Sequence, residues 1–184
     1  MARFSFRDRS RRITRQALQY THHGWPVAAL AVPRGDGCPC GQRHAEPHLV
    51  SESIDTPQDA ASVWSDGHPW DVALICRDFD VVELPTEYGA PLYNRLVTNC
   101  PTMTVYRGRR WSFIVEGNSF PRDAITRAGG RLHSGPDDWA AAAPSRIDGI
   151  GSLYWVVGPL HTRWQPYRRT DAVDGVFRDH RRPS

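Results

Sequence analysis

The chain alternates short apolar runs with glycine- and proline-rich breaks. Its most organised stretch is Asp71-Val-Ala-Leu-Ile-Cys-Arg-Asp-Phe-Asp-Val-Val-Glu-Leu-Pro85, two apolar runs divided by a polar Arg-Asp step. This stretch predicts the centre of a sheet. In an extended second run, Phe79, Val81, Glu83 and Pro85 share one side while Asp80, Val82 and Leu84 share the other. Upstream, Ile13, Ala17, Leu18 and Thr21 recur at helical spacing from about Arg12, the helix stopping before Gly24, and Trp25 to Val32 reads as a buried strand. Thr56-Pro57-Gln58-Asp59 is a helix start, with Thr56 as N-cap, Pro57 at the first helical position and an acid in the first turn; Ala60, Val63 and Trp64 form its apolar stripe. Downstream, Leu92, Tyr93, Leu96 and Val97 predict a helix over 90–98, ending before Pro101. Met103 to Val115 reads as a hairpin turning at Arg107-Gly108-Arg109, with Trp111, Phe113 and Val115 alternating onto one face. A short helix from about Pro121 ends at Gly129-Gly130, and 138–146 and 151–157 supply further strands. The segment from Thr162, with Trp164, Tyr167 and Phe177 among arginines, is compatible with one weak helix.

Length and composition narrow this to a globular protein. At 184 residues the chain fits one domain better than two, of α/β or α+β type, and 15 prolines with 15 glycines imply short elements and many turns. No apolar run approaches the roughly 20 residues of a membrane span. No apolar segment follows the arginine-rich start as a secretion signal would, so the expectation is a cytoplasmic protein without membrane contact. All 23 basic residues are arginine, against a net charge of +3. The missing lysine excludes a P-loop NTPase, which needs its phosphate-binding Lys, and Schiff-base catalysis, which needs a side-chain amine. Residues 1–12 form a basic arm that either meets phosphates without reading sequence or is a solvated tail.

Two stretches carry candidate chemistry. Within the loop 35–48, Cys38, Cys40, His44 and His48 offer thiolate and imidazole ligands suited to a structural Zn²⁺, although Cys-x-Cys is tighter than the usual spacing; the other reading is a metal-free polar loop. Cys76 and Cys100 read as core residues, and four cysteines in a cytoplasmic chain do not argue for disulfides. In the hairpin, Arg107, Arg109 and Arg110 beside Trp111 suit a phosphate backbone with stacked bases; equally, they describe a solvated basic tip over core aromatics.

Several landmarks, in order, resemble the N-terminal primase-polymerase (prim-pol) domain of bifunctional DNA primase/polymerases from plasmids, phages and actinobacteria. Ala17-Leu-Gln-Tyr-Thr-His-His-Gly-Trp-Pro-Val27 is similar to the family's opening helix and strand, and the Cys/His loop to its cysteine-containing insert. Thr56-Pro-x-x-Ala60 with Trp64, then Pro69-Trp-Asp-Val-Ala-Leu74, resembles the approach to the catalytic carboxylates, and Phe79 to Pro85 the first catalytic strand. Arg107-Gly-Arg-Arg-Trp-Ser-Phe113 falls where the family has its histidine strand, and Ala143-Pro-Ser-Arg146 resembles a Pro-Pro-Ser-Arg motif. The similarity spans residues 13–178, with 1–12 as the arm and 179–184 as a tail. It implies a single α+β domain: an RNA-recognition-like core whose central antiparallel or mixed sheet is flanked by helices.

Such enzymes join nucleotides with two divalent metals, held by carboxylates at i and i+2 of one strand and a third from a neighbouring strand. Here the first position is Glu83, but i+2 is Pro85, which has no ligand atom. The second motif places Trp111 or Ser112 at the histidine, and the third places Leu132 at the acid, with Asp137 and Asp138 nearby. The resemblance with these departures implies a catalytically inactive domain, with Glu83 as a remnant. Its expected role is as a nucleic-acid- or nucleotide-binding accessory in replication of a chromosome or mobile element, meeting DNA, primed template or replication proteins. Arg107, Arg109, Arg110, Trp111 and Arg146 are the expected contacts. Two alternatives stand beside it. One is an active Mg²⁺- or Mn²⁺-dependent nucleotidyltransferase recruiting Asp78, Asp80, Glu87 or Asp137; the other is a zinc-stapled protein-interaction module.

Overall fold

The computed structural model describes residues 6–35, 37–65, 67–105, 109–147 and 149–168. Chain order is α1 (Phe6–His22), β1 (Val27–Ala31), β2 (His48–Leu49), α2 (Pro57–Val63), β3 (Asp71–Ile75), β4 (Asp80–Pro85), α3 (Thr86–Leu96), β5 (Thr102–Val105), β6 (Arg110–Val115), α4 (Arg122–Arg127), β7 (Arg131–His133), β8 (Trp139–Ala141), β9 (Arg146–Ile147) and β10 (Gly151–Val157), then a 3₁₀ turn at Pro159–Thr162. The class is α+β, with antiparallel sheets. The chain forms two compact units, one within Met1–Ile75 and Trp139–Leu153, the other within Cys76–Asp138 and Tyr154–Ser184. The two apolar runs of the 71–85 stretch therefore lie in different sheets rather than one. The polar Arg77-Asp78 step between them is a turn.

In the first unit the sheet order is β2-β1-β3-β8. β1 and β3 are buried at every residue, as expected of central strands. Ile13, Ala17 and Tyr20 recur on one face of α1 and are fully buried. Tyr20 stacks on Trp25 and donates its hydroxyl to the Ala143 carbonyl at 2.6 Å. α2 starts as its sequence dictates, the Thr56 hydroxyl accepting from the Asp59 amide at 3.2 Å. α1 begins earlier than the apolar spacing predicts, so residues 6–12 of the expected arm are helical; 1–5 lie outside the described residues. Arginine is a good helix former, and Arg9 is drawn in by an ion pair with Asp71.

In the second unit, β4, α3, β5, β6, α4 and β7 follow one another as β-α-β-β-α-β, with sheet order β7-β4-β6-β5 and β10 beyond β5. This is the split β-α-β arrangement. Register pairs Val82 with Phe113 and Leu132, and Glu83 with Ser112 and Arg131. One face, with Val82, Leu84, Trp111, Phe113, Val115 and Leu132, packs on Leu92 and Leu96 of α3 and on Ile125 of α4. The opposite face carries Val81, Glu83, Ser112, Arg131 and His133. α3 runs from Thr86 rather than from residue 90. Gly89 and Pro91 are poor helix formers, which hides this first turn in the sequence. Its reason is tertiary: a Cβ at position 89 would lie 2.6 Å from Trp111, so only glycine lets the helix approach the sheet this closely.

Gly130, just before β7, is under similar pressure, since a Cβ there would meet the Glu83 carbonyl oxygen at 2.5 Å and Leu84 at 2.7 Å. Gly130→Ala is expected to cost about 2 kcal/mol by overpacking. Gly117→Ala, with nothing within 4 Å, should stay within about 0.5 kcal/mol of wild type. Urea unfolding midpoints of the two variants check this.

Candidate functional site

Glu83 projects from β4 on the face away from α3 and α4, and its neighbours are an arginine and a histidine rather than other carboxylates. Its Oε2 lies 3.5 Å from Arg110 Nε on β6 and 3.6 Å from His133 Nε2 on β7. Burial by itself would raise the Glu83 pKa, but His133, Arg110 and Arg131 outweigh it and hold the carboxyl below its ordinary value. Pro85, the i+2 residue, pairs in register with Arg110 and ends the strand. Glu83 is thus a strand-end acid engaged by an arginine and a histidine.

His133 connects Glu83 to a second carboxylate. Its Nδ1 lies 3.1 Å from Asp138 Oδ1, while Asp138 Oδ2 accepts from the Ser134 amide at 3.1 Å and Arg131 Nη2 stands 3.9 Å from Oδ1. The turn that delivers Asp138 hangs on Cys76, whose amide donates to the Asp138 carbonyl and whose carbonyl accepts from Gly135, at 3.0 and 2.8 Å. Gly135 adopts φ +99°, which favours glycine. The imidazole Nε2 is buried and makes no hydrogen bond; its 3.6 Å to Glu83 is an ion-pair distance only. The Cys76 thiol is pushed up, first by burial and then by Asp138, Asp80 and Glu83.

The substitute ligands weighed from sequence do not gather at Glu83. Asp80 is buried, has the opposite strand parity, and accepts from the Asn118 amide at 2.8 Å. Asp78 pairs with Arg77 at 3.3 Å, Glu87 sits in the first turn of α3, and Asp137 is exposed. Trp111, expected at bases, is packed between Tyr93 and Phe113, with ring centroids at 4.9 and 6.5 Å. Its strand parity turns it toward the helices, so the core-aromatic reading of the hairpin describes it. Arg109 is exposed and Arg110 half-buried; Arg107 lies outside the described residues. Arg146 is in the first unit, exposed, with its backbone amide 3.1 Å from Asp71 Oδ1.

In the Cys/His loop, Cys38, Cys40 and His48 bring one ligand atom each within 4.8 Å of one another, a group that can hold a metal ion. Among the described residues no other set of three His, Cys, Asp or Glu side chains does so. Gly41, at φ +82°, closes a turn onto the Cys38 carbonyl. His48 Nδ1 lies 3.3 Å from the Glu46 carbonyl, and in the tautomer that donates there Nε2 is the nitrogen able to bind a metal. The Cys38 thiol is held above its ordinary value, by burial first and also by the Cys40 sulfur. A bound cation would relieve the cost of two adjacent thiolates. His44 does not join the group; its ring centroid lies 4.1 Å from that of His48.

Sequence reasoning missed His133, and it placed Asp138 beside the site without a partner. The usable signal was alternation: Arg131 and His133 share one side of β7, and the register puts that side next to Glu83. The depressed Glu83 pKa adds stability that is complete above its ordinary value of 4.5 and is lost as pH falls through the lower folded value. Acid unfolding should therefore be flatter below that pH in Glu83→Gln than in wild type; identical slopes would remove Glu83 from the network. Compared with family models, curated proteins and solved structures, the chain has no match in any of the three.

Proposed function

We propose that this chain is a primase-polymerase-like domain without polymerase activity, binding nucleic acid or nucleotide phosphates at the basic end of the second unit's sheet. One observation carries the reading: the carboxylate at the family's first metal position is occupied by Arg110 and His133. Two-cation catalysis needs several hard oxygens converging on each ion, and the Arg110 guanidinium beside the one available carboxylate repels a divalent metal. Asp138, the second carboxylate of the network, is spent on His133 and the Ser134 amide. What remains accessible is cationic, with Arg109 exposed and the Arg110 and Arg131 side chains 43% and 66% exposed. The β-α-β-β-α-β order supports the same class, since an RNA-recognition-like core is built in that order.

Single-stranded DNA should bind in a salt-dependent way, and Arg109→Ala with Arg110→Ala should weaken it several-fold and reduce the salt slope by about 1.4. Fluorescence anisotropy of a labelled oligonucleotide measures both. No primer extension is expected with Mg²⁺ or Mn²⁺. Absence of binding at low salt, or extension that disappears in Glu83→Ala, would overturn the reading.

A second feature favours a structural metal. Two sulfurs and one imidazole are a soft donor set that selects Zn²⁺ over Mg²⁺, and His44 is the fourth ligand that the sequence spacing offers. Purified protein should carry one zinc per chain, and a chelator or Cys40→Ser should lower the melting temperature. Metal-free protein whose melting is unmoved by added zinc would reject it.

A further inference from the structure

Asp71, the first residue of β3, is fully buried and stands at the centre of a group of arginines. Arg9 of α1 donates to Oδ1, Arg34 Nη2 donates to Oδ2 at 2.6 Å, and the Arg146 amide donates to Oδ1 at 3.1 Å. Arg34 is held by a tight turn in which its backbone amide and carbonyl both pair with Gly37, at 2.8 and 3.2 Å. Arg9 and Arg34 each meet Asp71 through a single guanidinium nitrogen, and the Arg146 side chain makes no hydrogen bond or ion pair among the described residues. Arg9 Nε is buried and also lacks a partner.

Charge is therefore unbalanced here. The Arg9 and Arg34 guanidiniums share one carboxylate, the Arg146 backbone amide joins them there, and no second acid pairs with any of the three arginines among the described residues. The Arg34 pKa is lowered, by burial first, then by Arg9 and Arg146 against the opposing pull of Asp71, so the three cations are close enough to repel. Most of their planar N–H forks remain unused, in the geometry that suits phosphate oxygens bidentately. The side chains of Arg9 and Arg34 are 18% and 38% exposed, which leaves the group open on one side.

We propose that Arg9, Arg34 and Arg146, fixed by Asp71, form a binding site for a dianionic phosphate group, separate from the Glu83 network and independent of whether the chain binds nucleic acid. A dianion matches the surplus of two positive charges, whereas a phosphodiester supplies one negative charge per phosphate. Asp71 is a positioning residue: it holds the Arg9 and Arg34 guanidiniums and the Arg146 backbone in place and does not touch the ligand.

The test is thermal unfolding and calorimetric titration of the full chain at fixed ionic strength, with pyrophosphate, a nucleoside triphosphate, and an oligonucleotide lacking terminal phosphates. Pyrophosphate should stabilise the wild type in a saturable way. Arg146→Gln should bind it about tenfold more weakly while melting as the wild type does in chloride alone, because that side chain makes no contact that folding depends on. Arg127→Gln, an equal loss of charge on α4, should bind as the wild type does. Tighter binding of the nucleoside triphosphate than of pyrophosphate makes a nucleotide the source of the phosphate; equal binding makes it the free anion. Either result supports the site. Lack of saturable binding, equal losses in Arg146→Gln and Arg127→Gln, or an oligonucleotide that competes as strongly as pyrophosphate would overturn it.

Discussion

A carboxylate removed from water must be answered by donors in fixed positions, and the first unit is arranged around that requirement at Asp71. Its two oxygens gather α1 through Arg9, the turn after β1 through Arg34, and β9 through the Arg146 amide. Breaking such a buried pair costs about 3–5 kcal/mol, because the remaining charge keeps its desolvation penalty without a partner. The same residue therefore sets where the helix begins, how the turn is held and where β9 lies. Ser145 reinforces the arrangement one residue away, its hydroxyl donating to the Val72 carbonyl at 2.9 Å and accepting from the Val72 amide at 3.0 Å.

The second unit meets a related requirement with different means. Among the described residues no backbone donor meets Glu83, which depends on side chains delivered by two neighbouring strands. The sheet supplies them by register alone, since residues opposite one another share a face. His133 then passes the interaction to Asp138, whose loop is tied to Cys76 by two backbone hydrogen bonds. The result is a chain in which basic and acidic side chains alternate across β6, β4 and β7. That pattern stabilises a carboxylate, and it is the reverse of one that concentrates negative charge for metal ions.

Local patterns in the sequence were readable where one element decided its own fate. Thr56-Pro57 fixed the start of α2, alternation placed Trp111, Phe113 and Val115 on one side of β6, and Gly129-Gly130 marked the end of α4. The Cys/His loop was readable as a ligand group because its donors lie close in the chain, although the structure gathers Cys38, Cys40 and His48 and leaves His44 beside them. What stayed hidden depended on partners far away. Arg9 and Asp71 are 62 positions apart, and nothing near either one announces the other. The first turn of α3 carries Gly89, which disfavours helix, and the closeness of Trp111 explains it. The division of the 71–85 stretch between two sheets was likewise invisible, because apolar alternation names a strand but not its neighbours.

Pro85 has a double position, as the last residue of β4 and the N-cap of α3, where it makes no side-chain capping bond. Aspartate is among the residues best suited to such a place, since its oxygen can accept from a free amide of the first turn. The backbone at this point has φ −66° and ψ 163°, extended values that any residue adopts. A carboxylate at position 85 is therefore not forbidden by the architecture, and it would strengthen the helix it opens. An acid at this one position would share the strand side of Glu83 while capping the helix that follows.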